Sequence, residues 1–193
     1  FAAVTEAIEV ARKADVRLDI IHLKIADQKY WGQMDKIVAM IDNARTEGIN
    51  VQANVYPYTR GNNNLKNIVP PWAHEGGDAK MLERLASTGT RDQIIADIEN
   101  GIEGWYNHYT AVGKDWSRVL ISGEHPYKGL TMDRVFALRG TKQKTVADLL
   151  DILIENDGGI SAVFAHHDEP DMLLALRQPW CSVGSDGSAY AVQ

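Results

Sequence analysis

Trp180-Cys181-Ser182-Val183-Gly184-Ser185-Asp186-Gly187 reads as a short apolar strand that turns on glycine and leaves a lone carboxylate just past its C-terminal tip. In a parallel α/β barrel that tip is where chemistry is placed. Working back along the chain, Val16 to Ile21 forms a second apolar strand that delivers His22 to the same kind of position. Ile49, Val51, Ala53 and Val55 alternate as another strand, which Tyr56-Pro57-Tyr58 ends because proline cannot donate to a ladder. Val119 to Ser122 reads as a further buried strand. Helices stand between them. Val4, Ile8 and Ala11 share a face of a helix over residues 2–14. Ile37, Met40, Ile41 and Ala44 form the next stripe, with Gly48 at the stop position. Helix alternating with short strand predicts an α/β fold with parallel pairing.

Between these strands the chain carries a polar stretch, Arg60-Gly61-Asn62-Asn63-Asn64, then Pro70-Pro71-Trp72 and Gly76-Gly77. Its composition predicts a functional loop. Helices resume at Met81, Leu82 and Leu85. Thr90 with Gln93 fits a capping box opening a helix through Ile94, Ile95 and Ile98. From about Glu124 to Asp171 the order becomes helix (130–138), helix (145–154), strand (160–165), helix, with Asp168 as cap and Pro170 in the first turn. This predicts an α+β insertion. The expected organisation is barrel segment 1–123, insertion 124–171, and last strand with its tip 172–193.

Composition bounds the partners. The chain has 193 residues, 45% apolar and 24% charged, with a net charge of −6. This is enough for a real core, and the mild acidity argues against nucleic acid as a partner. No apolar run approaches a membrane span, so no membrane partner is expected. The single cysteine, Cys181, permits no intrachain disulfide and reads as a small core residue; a cytoplasmic setting is compatible. The chain opens at Phe1 inside a helix and stops seven residues after Asp186. Both ends are therefore expected to be cut from a longer protein.

The candidate chemistry starts from His22 and Asp186. A histidine and an aspartate on separate strand tips are what a metal-assisted hydrolase needs. The plainer alternatives are a core histidine and a turn aspartate. Lys24 shares a side with His22 and can bind a carboxylate; otherwise it is a surface lysine opening a loop. Tyr56 and Tyr58 share a parity and can line a pocket or orient an oxyanion, or simply pack at a rim. His166 and His167 are adjacent on a strand, so at most one faces a given site. The chain has no phosphate loop, no Gly-x-Ser-x-Gly elbow and no His-Glu-x-x-His helix.

Taken in order, these segments resemble the N-acyl-D-amino-acid deacylases (D-aminoacylases) of the amidohydrolase superfamily. The segments that carry the resemblance are Ile20-Ile21-His22-Leu23-Lys24 with Trp31-Gly32, Asn54-Val55-Tyr56-Pro57-Tyr58, Pro70-Pro71-Trp72-Ala73 with Gly76-Gly77, Asp168-Glu169-Pro170-Asp171-Met172, Leu176-Arg177-Gln178-Pro179-Trp180 and Gly184-Ser185-Asp186-Gly187. The resemblance implies a partial (β/α)8 TIM-type barrel, strands five to eight, with the insertion before the eighth. It implies zinc-dependent hydrolysis of the amide of an N-acyl-D-amino acid, a small-molecule substrate. His22 and Asp186 would be metal ligands, and Asp186 also the proton shuttle. Tyr56, Lys24, Arg60 and His167 would contact substrate. In this family a second histidine ligand commonly stands on strand six, where Tyr56 is expected here. The first-strand His-x-His and a zinc-binding cysteine would precede Phe1. The fragment alone is thus expected to bind zinc weakly and be inactive, its missing barrel half coming from the parent chain or another chain. The rival readings are a non-catalytic fragment that binds a small ligand or partner chain, and a cyclic-amide hydrolase of the same superfamily.

Overall fold

A computed structural model describes residues 1–141 and 143–187. In chain order the helices are α1 (Ala2–Ala14), α2 (Met34–Thr46), α3 (Asp78–Ala86), α4 (Thr88–Asn100), α5 (His108–Ala111), α6 (Met132–Leu138), α7 (Val146–Glu155) and α8 (Glu169–Leu176). The strands are β1 (Leu18–Ile20), β2 (Val51–Val55), β3 (Gly61–Asn64), β4 (Val119–Ile121), β5 (Ser161–Phe164) and β6 (Cys181–Val183). The chain divides into two compact units. Among the described residues one comprises 1–26, 30–59 and 167–187; the other comprises 27–29 and 60–166.

The first unit holds a parallel sheet in the order β1-β2-β6, with Ile20 opposite Ala53 and Val55 opposite Val183. Helix α2 connects β1 to β2 and packs on β2, while α8 precedes β6 and packs on both β2 and β6. The sequence explains this locally. Ile8 and Ala11 of α1 and Met34, Ile37, Ile41 and Ala44 of α2 are buried at helical spacing, and they meet Val51, Ala53 and Val55 in one core. Gly48 takes φ +92° just after α2, and its N–H reaches the Arg45 carbonyl at 3.0 Å, as the sequence predicts for a helix stop. Asp168 caps α8, accepting from Asp171 N–H at 3.2 Å. Cys181 is partly buried and packs against this core, which pushes its thiol pKa up.

The second unit has its own core, built from Leu65, Ile68, Met81, Leu85, Ile94, Ile98, Phe136, Leu149, Leu153 and Phe164 among others. Its sheet is antiparallel, in the order β3-β5-β4. Here the structure corrects two expectations. Val119–Ile121 does not join the parallel sheet: it pairs antiparallel with β5, Val119 opposite Phe164, so its buried side chains enter the second core. The polar stretch expected to be a loop contains the strand β3, with Gly61 opposite Phe164 and Asn64 opposite Ser161. Its asparagines pair through the backbone at an edge, where poor β-propensity is tolerated.

The borders between units fall at 59/60 and 166/167, with residues 27–29 also in the second unit, and residues 60–123 and 124–166 bury their apolar faces together. Residues 188–193 of the last expected segment lie outside the described residues. A smaller difference concerns capping. Thr90 lies inside α4 and bonds back to the Arg84 and Ser87 carbonyls, whereas the reciprocal capping box is made by Thr145 and Asp148 at α7.

Candidate active site

Because β1, β2 and β6 run parallel in adjacent positions, their C-terminal ends lie side by side. His22 stands two residues past β1, Tyr56 directly follows β2, and Asp186 stands three residues past β6. His22 and Asp186 both adopt left-handed backbone conformations, at φ 44° and 49°. Such a conformation costs a non-glycine residue about 1–3 kcal/mol and persists only where neighbours hold it. At His22 the holding contacts are clear. Its N–H donates to Asn54 Oδ1 at 2.8 Å, and the next N–H, of Leu23, donates to the Asn54 carbonyl at 2.8 Å.

Lys24 folds back over this turn. Its Nζ lies 2.8 Å from His22 Nδ1, donates to the His22 carbonyl at 3.0 Å, and sits 4.8 Å from the centre of the Tyr56 ring. An ammonium only donates, so while Lys24 is charged His22 Nδ1 accepts and the imidazole proton resides on Nε2. Burial pushes the Lys24 pKa down to about 8, against the opposing pull of the Asp186 carboxylate.

Behind Lys24, Tyr56 and His167 form a buried stacked pair, ring centres 4.9 Å apart at 13°. His167 Nδ1 is 3.0 Å from the Tyr58 carbonyl, which only accepts, so the proton is on Nδ1. Nε2 is then the acceptor for the Tyr56 hydroxyl, 3.1 Å away. Burial, then the Asp186 charge, raises the Tyr56 pKa to about 12. Burial, then the Lys24 charge, lowers the His167 pKa to about 4, only partly offset by the Tyr58 carbonyl. Tyr56 thus stays a neutral phenol and His167 a neutral imidazole at neutral pH.

The first unit therefore gathers five of the six residues singled out from sequence: His22, Lys24, Tyr56, His167 and Asp186. Asp186 is felt electrostatically by both Lys24 and Tyr56. Arg60 is exposed and opens the second unit. His166 also belongs to the second unit, bonded to the Tyr106 hydroxyl at 3.0 Å, so the two adjacent histidines serve different surroundings. One expectation needs adjustment: the Tyr56 proton is committed to His167 and is not a spare donor for an oxyanion.

Sequence reading missed the roles of two residues. Asn54 clamps the His22 turn. Buried Asp171 accepts from Gly32 N–H at 2.8 Å and Met34 N–H at 3.1 Å, so a carboxylate of α8 caps the start of α2. Asp171 stands in the first turn of α8, where a carboxylate ordinarily serves its own helix.

Among the described residues no three His, Cys, Asp or Glu side chains are grouped to hold an ion. His22 Nδ1 is occupied by Lys24, and its other nitrogen carries the proton while Lys24 is charged. The residues present therefore do not by themselves fit zinc, whose catalytic sites use about three protein ligands.

The α/β fold is similar to part of several solved amidohydrolase structures, the family that the sequence resembles. N-acyl-D-glutamate deacylase from Bordetella bronchiseptica, solved with zinc and a phosphonate mimic of the tetrahedral intermediate, matches with a TM-score of 0.60 at 21% identity, over 96% of this chain and 29% of that one. D-aminoacylase, described as defining a novel subset of amidohydrolases, matches with a TM-score of 0.58 at 22% identity over the same shares, 96% and 29%. A second D-aminoacylase structure, from work on the functional role of its binuclear metal centre, gives 0.58 at 21%, again over 96% and 29%. The chain thus spans less than a third of the length of these proteins. No protein-family profile and no curated protein matches it. No helix among the described residues is long and apolar enough to cross a membrane.

Proposed function

We propose that this chain supplies part of the active site of an amide hydrolase acting on N-acyl-D-amino acids. The observation that carries the reading is the convergence of His22, Lys24, Tyr56 and Asp186 at one end of the parallel sheet. Asp186 is the proton-handling group: an exposed carboxylate can take a proton from the attacking water and return it to the departing amine nitrogen. Lys24, half-buried and cationic below about pH 8, holds the substrate carboxylate. Tyr56 and His167, both neutral, form the wall that fixes Lys24 from behind. A zinc ion would need donors beyond His22 and Asp186, from outside the described residues. The same holds for activity, which we assign to the larger protein that carries this chain.

The strand order supports a barrel numbering different from the one expected. Neighbouring strands in a (β/α)8 barrel are consecutive in sequence. If β6 is the eighth strand, its neighbour β2 is the seventh and β1, on the far side of β2, the sixth. The arc then has three strands, not the four numbered five to eight, and His22 takes the strand-six position at which a histidine ligand was missed. Tyr56 departs from no pattern on this numbering.

The test is hydrolysis of a panel of N-acyl-D-amino acids, their L-isomers and a cyclic amide by the natural polypeptide carrying this chain, wild type against Asp186→Ala. The reading expects release of free D-amino acid and a loss of about 10²–10⁴-fold in the variant. Retention of near-wild-type rate refutes the role of Asp186. Turnover of the cyclic amide alone moves the assignment to a cyclic-amide hydrolase.

A further inference from the structure

Asn54 occupies the centre of the sheet end, on the middle strand β2, between the two tips that carry His22 and Asp186. Three observations converge on its side chain and backbone. Its Oδ1 accepts the His22 N–H at 2.8 Å. Its carbonyl accepts the Leu23 N–H at 2.8 Å. On its other side the β6 tip approaches so closely that a Cβ on Gly184 would lie 3.1 Å from Asn54 Oδ1 and 3.3 Å from Cγ. Gly184 is itself tied to β2, its N–H donating to the Val55 carbonyl at 3.1 Å. One side chain thus bonds the turn that presents His22 and packs against the glycine two residues before Asp186.

We infer that Asn54 is a positioning residue that sets the His22 and Asp186 tips against each other. The left-handed turn at His22 needs an acceptor for its N–H, and Asn54 Oδ1 is that acceptor. Gly184 leaves room for Asn54, because a Cβ there would press on its Oδ1 and Cγ and shift the side chain by a few tenths of an ångström. The consequence is a coupling between β6 and β1 that passes through β2. The catalytic part of this inference rests on the proposed hydrolase reading; the structural part does not.

The experiment is amide hydrogen exchange at His22, resolved on the natural polypeptide, for wild type, Asn54→Ala, Asn54→Asp, Gly184→Ala and the double variant Asn54→Ala/Gly184→Ala, with kcat and KM measured alongside. Loss of one hydrogen bond to a strained turn is expected to speed His22 exchange about threefold to tenfold in Asn54→Ala. Asn54→Asp keeps an acceptor oxygen and should restore slow exchange. Gly184→Ala, on a different strand, should also speed exchange at His22, and should add nothing in the double variant.

If the hydrolase reading holds, kcat falls by about 10²-fold in Asn54→Ala, with KM changed far less. Unchanged His22 exchange in both Asn54→Ala and Gly184→Ala overturns the inference, as does additivity in the double variant. Absence of hydrolysis by the wild type sinks the hydrolase reading alone, because the exchange pattern is read without turnover.

Discussion

Acidification should destabilise the first unit through His167, by an amount the structure allows to be worked out. In the folded protein this ring is buried, accepts the Tyr56 hydroxyl and faces the Lys24 and His22 cation-forming groups, and its pKa is lowered to about 4. In the unfolded chain it returns to 6.5. Between these values the unfolded state binds more protons, so stability rises with pH through the window and is lost as pH falls through it. At about pH 7 the unfolded ring is mostly neutral and the effect is a few tenths of a kcal/mol. At about pH 5 it is almost wholly protonated, whereas only about a tenth of the folded rings are, and the penalty reaches about 2 kcal/mol.

The perturbation is His167→Phe, which keeps the stacking on Tyr56 but removes the titrating nitrogens. Urea denaturation at about pH 7, 6 and 5 is the assay. The variant should be less stable near neutrality by about 1–3 kcal/mol, because the Tyr56 hydroxyl and Tyr58 carbonyl lose their partner. That gap should shrink by about 2 kcal/mol at about pH 5. His108 of the second unit is also buried and lowered to about 4, but it is common to both proteins and cancels in the comparison. Parallel pH dependences for wild type and variant would refute the reasoning.

Further outcomes are expected elsewhere. Asp171→Ala removes the acceptor of the Gly32 and Met34 N–H groups and should cost about 2–4 kcal/mol, read as a lowered urea midpoint. Gly48→Ala places a Cβ at φ +92° and should cost about 1 kcal/mol by the same assay, with no change at the candidate site. Micromolar zinc added to the 193-residue chain alone should leave its thermal midpoint unmoved; a rise of several degrees would show that these residues hold metal unaided.

The legible parts of this fold were those written in local pattern. Ile8 with Ala11, Ile37 with Ile41 and Ala44, and the alternation Val51, Ala53, Val55 each specify an element and its buried face within one short window. The Asp168 cap was readable for the same reason. Sheet membership was not. Val119–Leu120–Ile121 is an apolar triplet that suits either sheet, and the choice is made by Phe164 and Ala162, over forty residues away. β3 was hidden because asparagine-rich sequence signals a loop, and only pairing to β5 makes it a strand. At the site, His22 and Asp186 were readable as strand-tip residues. Asn54 was not, because its role depends on two neighbouring tips rather than on its own strand. The His167 tautomer likewise follows from the Tyr58 carbonyl, a contact between residues 109 apart in sequence.

The β1, β2 and β6 tips bring the Asp186 carboxylate into the electrostatic reach of Lys24. The most direct measurement is an NMR titration of the Lys24 ammonium in wild type and in Asp186→Asn. With the carboxylate present the titration should centre at about 8. Removing that negative charge takes away a pull toward the charged lysine, so the midpoint should move lower. An unchanged midpoint would contradict the convergence of the tips, and the proposed site with it.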